Sequence, residues 1–428
     1  MQKKVIVIGG GFAGLTAAAY LANKNYKVTL IEASPKLGGR AYSFLDKGTN
    51  SILDNGQHIM MGCYYETLKF LSLVQAKDNF YFQKRLEVNF VKEGFRVFPL
   101  KGFPFVYPIN LLIGLLRFNA ISFSDRIRLL KFFFKLPFLS SGRFSGINIK
   151  EWLEKENQSE NIQNAFWKIL AVGALNTSLE KASAKIFIDI LKQIFLKGNT
   201  AATIVLPKYG LSESYCKNSE KFILDNGGVI NLSESVDGIS VIGDEVTGIT
   251  TSQKTYSDFD FVISSIPAFA LARIIGEESS SNIPDFKYSS ILNIHLWLSK
   301  NTVPDGFFGL INSPLHWVFD KGTHLNIVIS DADEFVHKSE EDLMNIVKNE
   351  MKKFFLLEAE LIAGYKIIKE KRATFIPSDA IINKRPPQKT KIKNLILAGD
   401  WVDTGLPSTI ESAAKSGRVA ADLIINQL

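Results

Sequence analysis

Cysteine is nearly absent from the chain: only Cys63 and Cys216 occur in 428 residues, far apart and outside any C-x-x-C pair. That scarcity speaks against a disulfide framework and fits a reducing cytosol. Histidine is also sparse, at five residues, and no grouping of His and Cys has the spacing of a metal site, so no metal is expected. Lys and Arg number 50 against 43 Asp and Glu, a net charge of +7. No long basic tract or nucleic-acid motif accompanies that charge, and no nucleic-acid partner is expected. It reads either as a solvated surface or as attraction to an anionic membrane face. No apolar run reaches the ~20 residues of a spanning helix. Lys3 and Lys4 precede an apolar run too short for a signal-peptide core, so secretion is not expected. Phenylalanine, by contrast, is abundant, with 32 residues against 12 Tyr and 5 Trp. An AT-rich genome or a long apolar cavity would each produce that bias, and composition does not separate them.

The informative stretch is the first. Val5-Ile6-Val7-Ile8 reads as a fully buried parallel strand. Gly9, Gly11 and Gly14 follow as G-x-G-x-x-G, and Leu15 to Leu21 continues as a small-residue helix. In that context backbone N–H groups and the helix N-terminus face a pyrophosphate. A second short strand, Lys27 to Ile31, ends in Glu32, 18 residues past Gly14, where an acid would hold a ribose hydroxyl. Pro35 and the pair Gly38-Gly39 then demand a loop that presents Arg40. Arg40 reads as a contact to an anionic cofactor group, against the alternative of a surface salt bridge. Asp54-Asn55-Gly56-Gln57-His58 is a dense polar cluster between apolar runs, set either on a turn or buried with partners.

The α/β rhythm lapses from about Leu68 to Thr203, which reads as a mainly helical insertion. Within it Phe103–Phe118 is strongly apolar, and Arg126–Phe138 alternates cationic and apolar positions at near-helical spacing. That second pattern suits a helix lying in a membrane interface, or equally a core-facing helix with a basic edge. The α/β pattern resumes at Ile204, with a buried strand over Phe259–Pro267 and one helix near Glu340–Phe355. Last, Asn394 to Ala398 reads as a buried strand delivering Gly399 and Asp400 to a loop, where Asp400 would accept from a ribityl or ribose hydroxyl. Ser408-x-x-Glu411 has the form of a capping box opening a final helix over Ser412–Gln427. The helix start at Ser408-Thr409 carries partial positive charge, which aimed at a flavin's pyrimidine edge would stabilise the anionic reduced form. Arg40 and Asp400 together shift the dinucleotide from NAD to FAD.

The expected fold class is therefore α/β: a Rossmann-type, glutathione reductase-like FAD-binding domain over residues 1–75, 204–275 and 370–428, with an interleaved α+β substrate-binding domain over 76–203 and 276–369. Gly9-x-Gly11-x-x-Gly14, Glu32, Leu37-Gly38-Gly39-Arg40 and Ala398-Gly399-Asp400 with Gly417 resemble the FAD-containing amine oxidase and phytoene desaturase superfamily. Asp54-Asn55-Gly56-Gln57-His58, Leu292 to Trp297, Ser313 to Phe319 and Asp400 to Glu411 look like its squalene-associated branch, the hydroxysqualene dehydroxylases. The resemblance implies FAD, an apolar C30 isoprenoid substrate, squalene or hopanoid synthesis, and peripheral attachment to the inner face of the cell membrane from the cytoplasm. It also implies that Gly9, Gly11, Gly14, Glu32, Gly39 and Arg40 hold the ADP half and pyrophosphate, and that Val236 lies against the adenine. Gly399 and Asp400 would take the ribityl side, and Gly56, Gln57 and His58 would approach the isoalloxazine.

Dehydroxylation needs an acid near the leaving oxygen. Asp54 and His58 are the titratable candidates, against a turn-capping aspartate and a satisfied core histidine. His295 and His316 stand behind them. Phytoene-type desaturation is the alternative reaction; a flavin amine oxidase and a non-catalytic isoprenoid-binding protein are the more distant readings. The electron donor is not legible.

Overall fold

The first apolar run becomes the centre of a five-stranded parallel sheet. In the computed structural model, which describes residues 2–276 and 283–426, strand Lys4–Ile8 pairs with Lys27–Ile31 on one side and Phe261–Ser264 on the other. Val229–Asn231 and Leu395–Leu397 form the two edges. The central strands are covered on both faces, which is why they read as continuous apolar runs rather than as an alternation.

Two helices, Phe12–Ala22 and Ile410–Ile425, pack together beside this sheet at backbone contact. A Cβ on Gly14 would lie 1.9 Å from the Gly9 carbonyl oxygen, and one on Gly417 would lie 2.2 Å from that of Ala13. The final helix starts two residues before the expected Ser412; its expected end, Gln427, lies outside the described residues.

A seven-stranded sheet forms the other layer, in the order Ile362–Phe375, Tyr288–Leu298, Leu325–Ile329, Trp317–Asp320, Phe307–Leu310, Glu87–Lys92, Arg96–Lys101. Its strands alternate. Leu292, Ile294 and Ile327 face helix Glu340–Phe355, burying against Leu343, Val347 and Phe354. Phe90, Phe307, Phe319 and Val328 face the helical insertion and merge with an aromatic core around Phe132, Trp152 and Trp167.

The stretch from Leu68 to Thr203 is less purely helical than its apolar runs suggest: it contributes strands Phe80–Phe82, Glu87–Lys92 and Arg96–Lys101. Glu87–Lys92 carries a period-two pattern short enough to be lost between longer helices. Ile204–Pro207, where the α/β pattern resumes, pairs antiparallel with Met60–Met61 and Phe80–Phe82, outside the parallel sheet. Among the described residues no helix is long and apolar enough to cross a membrane.

Gly14→Ala and Gly417→Ala each force a methyl into a backbone carbonyl, and each is expected to cost about 1–3 kcal/mol. Gly238→Ala, whose Cβ would meet nothing within 4 Å, should stay within about 0.5 kcal/mol. Thermal denaturation of the three variants measures this directly.

Candidate active site

The glycines of the first turn do different work. Gly9 has φ +101°, a conformation that strains any side chain. Gly14 allows the strand–helix approach described above. Gly11 caps helix Phe12–Ala22 without a side-chain hydrogen bond, no acid stands in the first turn, and a Cβ there would meet nothing closer than Gly39 Cα at 3.8 Å. Free helix-terminal amides thus stand beside open backbone. Gly38 and Gly39, both at positive φ, bring the Arg40 loop alongside, with the Gly38 amide donating to the Gly10 carbonyl at 2.9 Å. Glu32 ends its strand at this corner, its carboxylate accepting from the Gly10 amide at 2.6 Å and the Ser34 amide at 2.8 Å. The Glu234 amide donates to the Glu32 carbonyl at 3.0 Å, which sets half-buried Val236 two residues beyond the same corner.

Arg40 does not stand free. One Nη donates to Asp400 at 2.6 Å and the other to the Ala373 carbonyl at 2.8 Å. Asp400 follows Gly399, whose φ is +127°, and its second carboxylate oxygen takes the Ser408 hydroxyl. Burial raises the Asp400 carboxyl, but Arg40, the Ser408 hydroxyl and Arg385 together outweigh it and hold the group below the ordinary carboxylate range. Beneath this loop lies a residue with no sequence signal. Arg385 is buried and donates to the carbonyls of Asp400 (2.8 Å), Trp401 (3.3 Å), Val402 and Leu406 (2.5 Å). Burial lowers it to about 10.

The Ser408–Glu411 capping box does not form. Thr409 caps the last helix, accepting from the Ser412 amide at 3.2 Å. Glu411 instead caps a different helix, Tyr65–Leu73, taking the amides of Glu66 (3.0 Å) and Thr67 (2.9 Å). The helix that Glu411 caps lies 345 residues away in sequence.

In the polar cluster Asp54 and Asn55 are buried with partners while Gly56, Gln57 and His58 are half-buried, and most of the partners come from the seven-stranded sheet. Asp54 accepts from the Leu211 amide at 2.9 Å and pairs with Lys321 Nζ at 3.4 Å; that ammonium also donates to Gln57 Oε1 at 3.2 Å. Asn293 brackets the segment, accepting from the Gln57 amide at 3.2 Å and donating to the Asn55 carbonyl at 3.3 Å. Next to it on the same strand face, His295 Nε2 lies 3.2 Å from the Asp54 carbonyl and its Nδ1 3.0 Å from His324 Nε2. A carbonyl only accepts, so both Nε2 atoms carry the protons and Thr323, 3.0 Å from His324 Nδ1, donates to it.

His58 is half-buried. Burial lowers its pKa, opposed by the neighbouring Asp54 carboxylate and the Arg40 backbone. His316 lies apart, accepting from the Ser330 amide at 3.1 Å. Thus the fold brings Asp54, Gln57 and His58 beside Arg40 and adds Lys321, His324 and Asn293. Asn293 and His295 were visible as polar alternates between Leu292, Ile294 and Leu296. Lys321 and His324 sit on a hairpin turn that carries no such signal.

A family model for flavin containing amine oxidoreductases matches residues 12–425. The chain belongs to that family. Hydroxysqualene dehydroxylases from Zymomonas mobilis (26% identical over 98% of both chains) and Rhodopseudomonas palustris (27% over 99% of both) are similar along the whole length. A 15-cis-phytoene desaturase from an Oncidium hybrid is 23% identical over 99% of this chain and 78% of its own. Among solved structures, an oxidoreductase from Methanosarcina mazei superposes with a TM-score of 0.74 at 18% identity, covering 98% of this chain and all of that one. A putrescine oxidase superposes at 0.71 and 13% identity, with 99% of both covered. The α/β fold with its Rossmann-type sheet is therefore that of FAD-dependent oxidoreductases, and the protein is one.

The residues fit the family's FAD. The helix start at Gly11, free of any side-chain cap, the glycine pair beside it and Glu32 at the strand end form a cradle that side chains at Gly11 or Gly39 would narrow.

The two coupled histidines make an acid-sensitive joint. Burial lowers both His295 and His324 to about 4. Below the ordinary histidine pKa of about 6.5 the unfolded chain takes up protons that the folded chain refuses, so stability is complete above that pH and falls toward 4. Protonation would also set two N–H groups against each other at the 3.0 Å contact. His324→Phe should therefore lose less stability than the parent between pH 7 and 4.5, by on the order of 1–3 kcal/mol. Comparing the two proteins cancels the opposing titration of Glu411 and half-buried Asp331, whose carboxyls burial raises.

Proposed function

We propose that this flavoprotein reductively removes the allylic hydroxyl of a C30 isoprenoid, converting hydroxysqualene to squalene in squalene or hopanoid synthesis. One observation carries the reading: a polar corner meets an aromatic wall. Asp54, His58, Lys321 and Asn293 cluster at one end of a sheet face that continues through Phe319, Phe307, Trp317 and Phe90, with the Phe307 and Phe319 rings stacked 5.7 Å apart. Such a surface suits a long hydrocarbon bearing one polar group. Full-length similarity to hydroxysqualene dehydroxylases supports it.

In this reading residues 1–75, 204–275 and 370–428 form the FAD-binding domain, and 76–203 and 276–369 the substrate domain. Gly9, Gly11, Gly14, Glu32 and Val236 hold the ADP half of the cofactor, and Gly39 and Arg40 its pyrophosphate. Gly399 and Asp400 meet the ribityl chain, with Gly56, Gln57 and the Ser408–Thr409 helix start at the ring. Reduced FAD supplies the hydride equivalent when bound. The chain's part is to seat the alcohol, exclude water and deliver a proton as the C–O bond breaks and water leaves. His58 is the donor. Asp54, tied to Leu211 and Lys321, holds the segment that presents it.

An acid acts only while protonated, and burial depresses His58. Turnover should therefore fall as pH rises through a value below 6.5. His58→Gln should slow the step by about 100-fold, with Asp54→Asn less severe, both measured as squalene formed by FAD-loaded protein. Full turnover in both variants refutes the assignment. Phytoene-type desaturation is the second reading, favoured by the aromatic wall alone. Anaerobic mixing separates the two: reoxidation of reduced flavin by hydroxysqualene supports dehydroxylation, and reduction of oxidised flavin by phytoene supports the alternative.

We further propose that the enzyme works at the inner face of the cell membrane. Helices Ile109–Arg117 and Phe123–Lys135 pack together and, with the segments beside them, expose Phe105, Val106, Phe123, Phe134 and Phe138, the last 87% accessible. Arg117, Arg126, Arg128, Lys131 and Lys135 lie among them, a pairing of apolar tips and cations suited to anionic lipid. The protein should cosediment with anionic liposomes at low salt. Phe134→Ser with Phe138→Ser should weaken that binding about tenfold or more.

A further inference from the structure

One polar side chain in the sheet face behind the site has no partner. Asn326 is fully buried, at 0% exposure, and neither its Oδ1 nor its Nδ2 meets a hydrogen-bond partner among the described residues. On its strand Leu325, Ile327 and Ile329 turn toward helix Glu340–Phe355. Asn326, with Val328, therefore turns to the opposite side, the aromatic wall. Directly across on the two neighbouring strands stand His295 and Phe319. It is thus set at the junction between the polar corner and the wall.

The other polar groups of this junction are spent. Asn293 gives its oxygen to the Gln57 amide and its nitrogen to the Asn55 carbonyl. His295 uses both ring nitrogens, on Asp54 and His324. Asn326 alone among these three keeps a free donor and a free acceptor. Burying an amide without partners is costly, and a β-branched apolar residue would suit the strand better. A group that supplies both one donor and one acceptor would repair the defect, and an alcohol is such a group. A hydrocarbon is not.

We propose that Asn326 is the residue by which this enzyme recognises the hydroxyl of its isoprenoid alcohol. This rests on the dehydroxylation reading and extends it to product release. Loss of the hydroxyl leaves the carboxamide unpaired again, so the hydrocarbon product is held less tightly than the substrate.

The test measures binding of hydroxysqualene and of squalene to oxidised, FAD-loaded protein through the perturbation of flavin absorbance. The parent should favour the alcohol. Asn326→Val should weaken alcohol binding about tenfold while squalene binding stays equal or tightens, and Asn326→Ser, which keeps a donor and an acceptor, should retain part of the preference. If the parent discriminates and Asn326→Val discriminates by the same ratio, Asn326 is not the recognition group, and dehydroxylation would stand. If the parent itself shows no preference, the dehydroxylation reading falls and this proposal with it.

Discussion

Backbone contact between the first and last helices governs the architecture. Gly14 lets helix Phe12–Ala22 sit on the turn it springs from, and Gly417 lets helix Ile410–Ile425 sit on that first helix. The contacts are too close for any Cβ. They join opposite ends of the chain, so the long intervening segments must leave and return to the same sheet. Strands Val229–Asn231, Phe261–Ser264 and Leu395–Leu397 enter it in parallel on either side of the opening pair. Parallel strands need long crossovers, and here those crossovers carry the helical insertion and the seven-stranded sheet.

Where the last strand ends, charge takes over from packing. Arg385 gathers four carbonyls of the Asp400–Leu406 loop, and Arg40 and Ser408 share the Asp400 carboxylate. A guanidinium suits such a loop because its planar fork satisfies several acceptors at fixed angles, which an ammonium cannot. Glu411 joins the same region to helix Tyr65–Leu73 by capping it. The Asp400–Leu406 loop is therefore held from below, from the side and through the next helix.

The polar corner follows a different rule. Asp54, Gln57 and His58 arrive from the N-terminal part of the chain, while Asn293, His295, Lys321 and His324 arrive from the seven-stranded sheet. Most donors and acceptors there have a named partner, as buried polar groups require. The Asn326 amide has none among the described residues, and it lies toward the apolar wall.

The sequence by itself determined the cofactor end. The strand, glycine turn, helix and acid from Val5 to Glu32 are contiguous, and each is fixed by local chemistry: β-branched packing, positive φ, free amides, a strand-end carboxylate. A dinucleotide-binding fold was legible there; Arg40 and the Gly399–Asp400 step shifted the dinucleotide to FAD, and the family resemblance rested on these stretches with Leu37–Arg40 and Gly417. Tertiary structure alone decided the rest. No local rule says that Glu411 caps a helix 345 residues away, that Arg385 underlies Asp400, or that Lys321 reaches Asp54, because these pairings depend on which distant backbones meet. The polar corner was partly hidden for the same reason. Period two put Asn293 and His295 on one face, but only the neighbouring strands reveal that Asn326, two positions from His324, is buried beside them with nothing to bond.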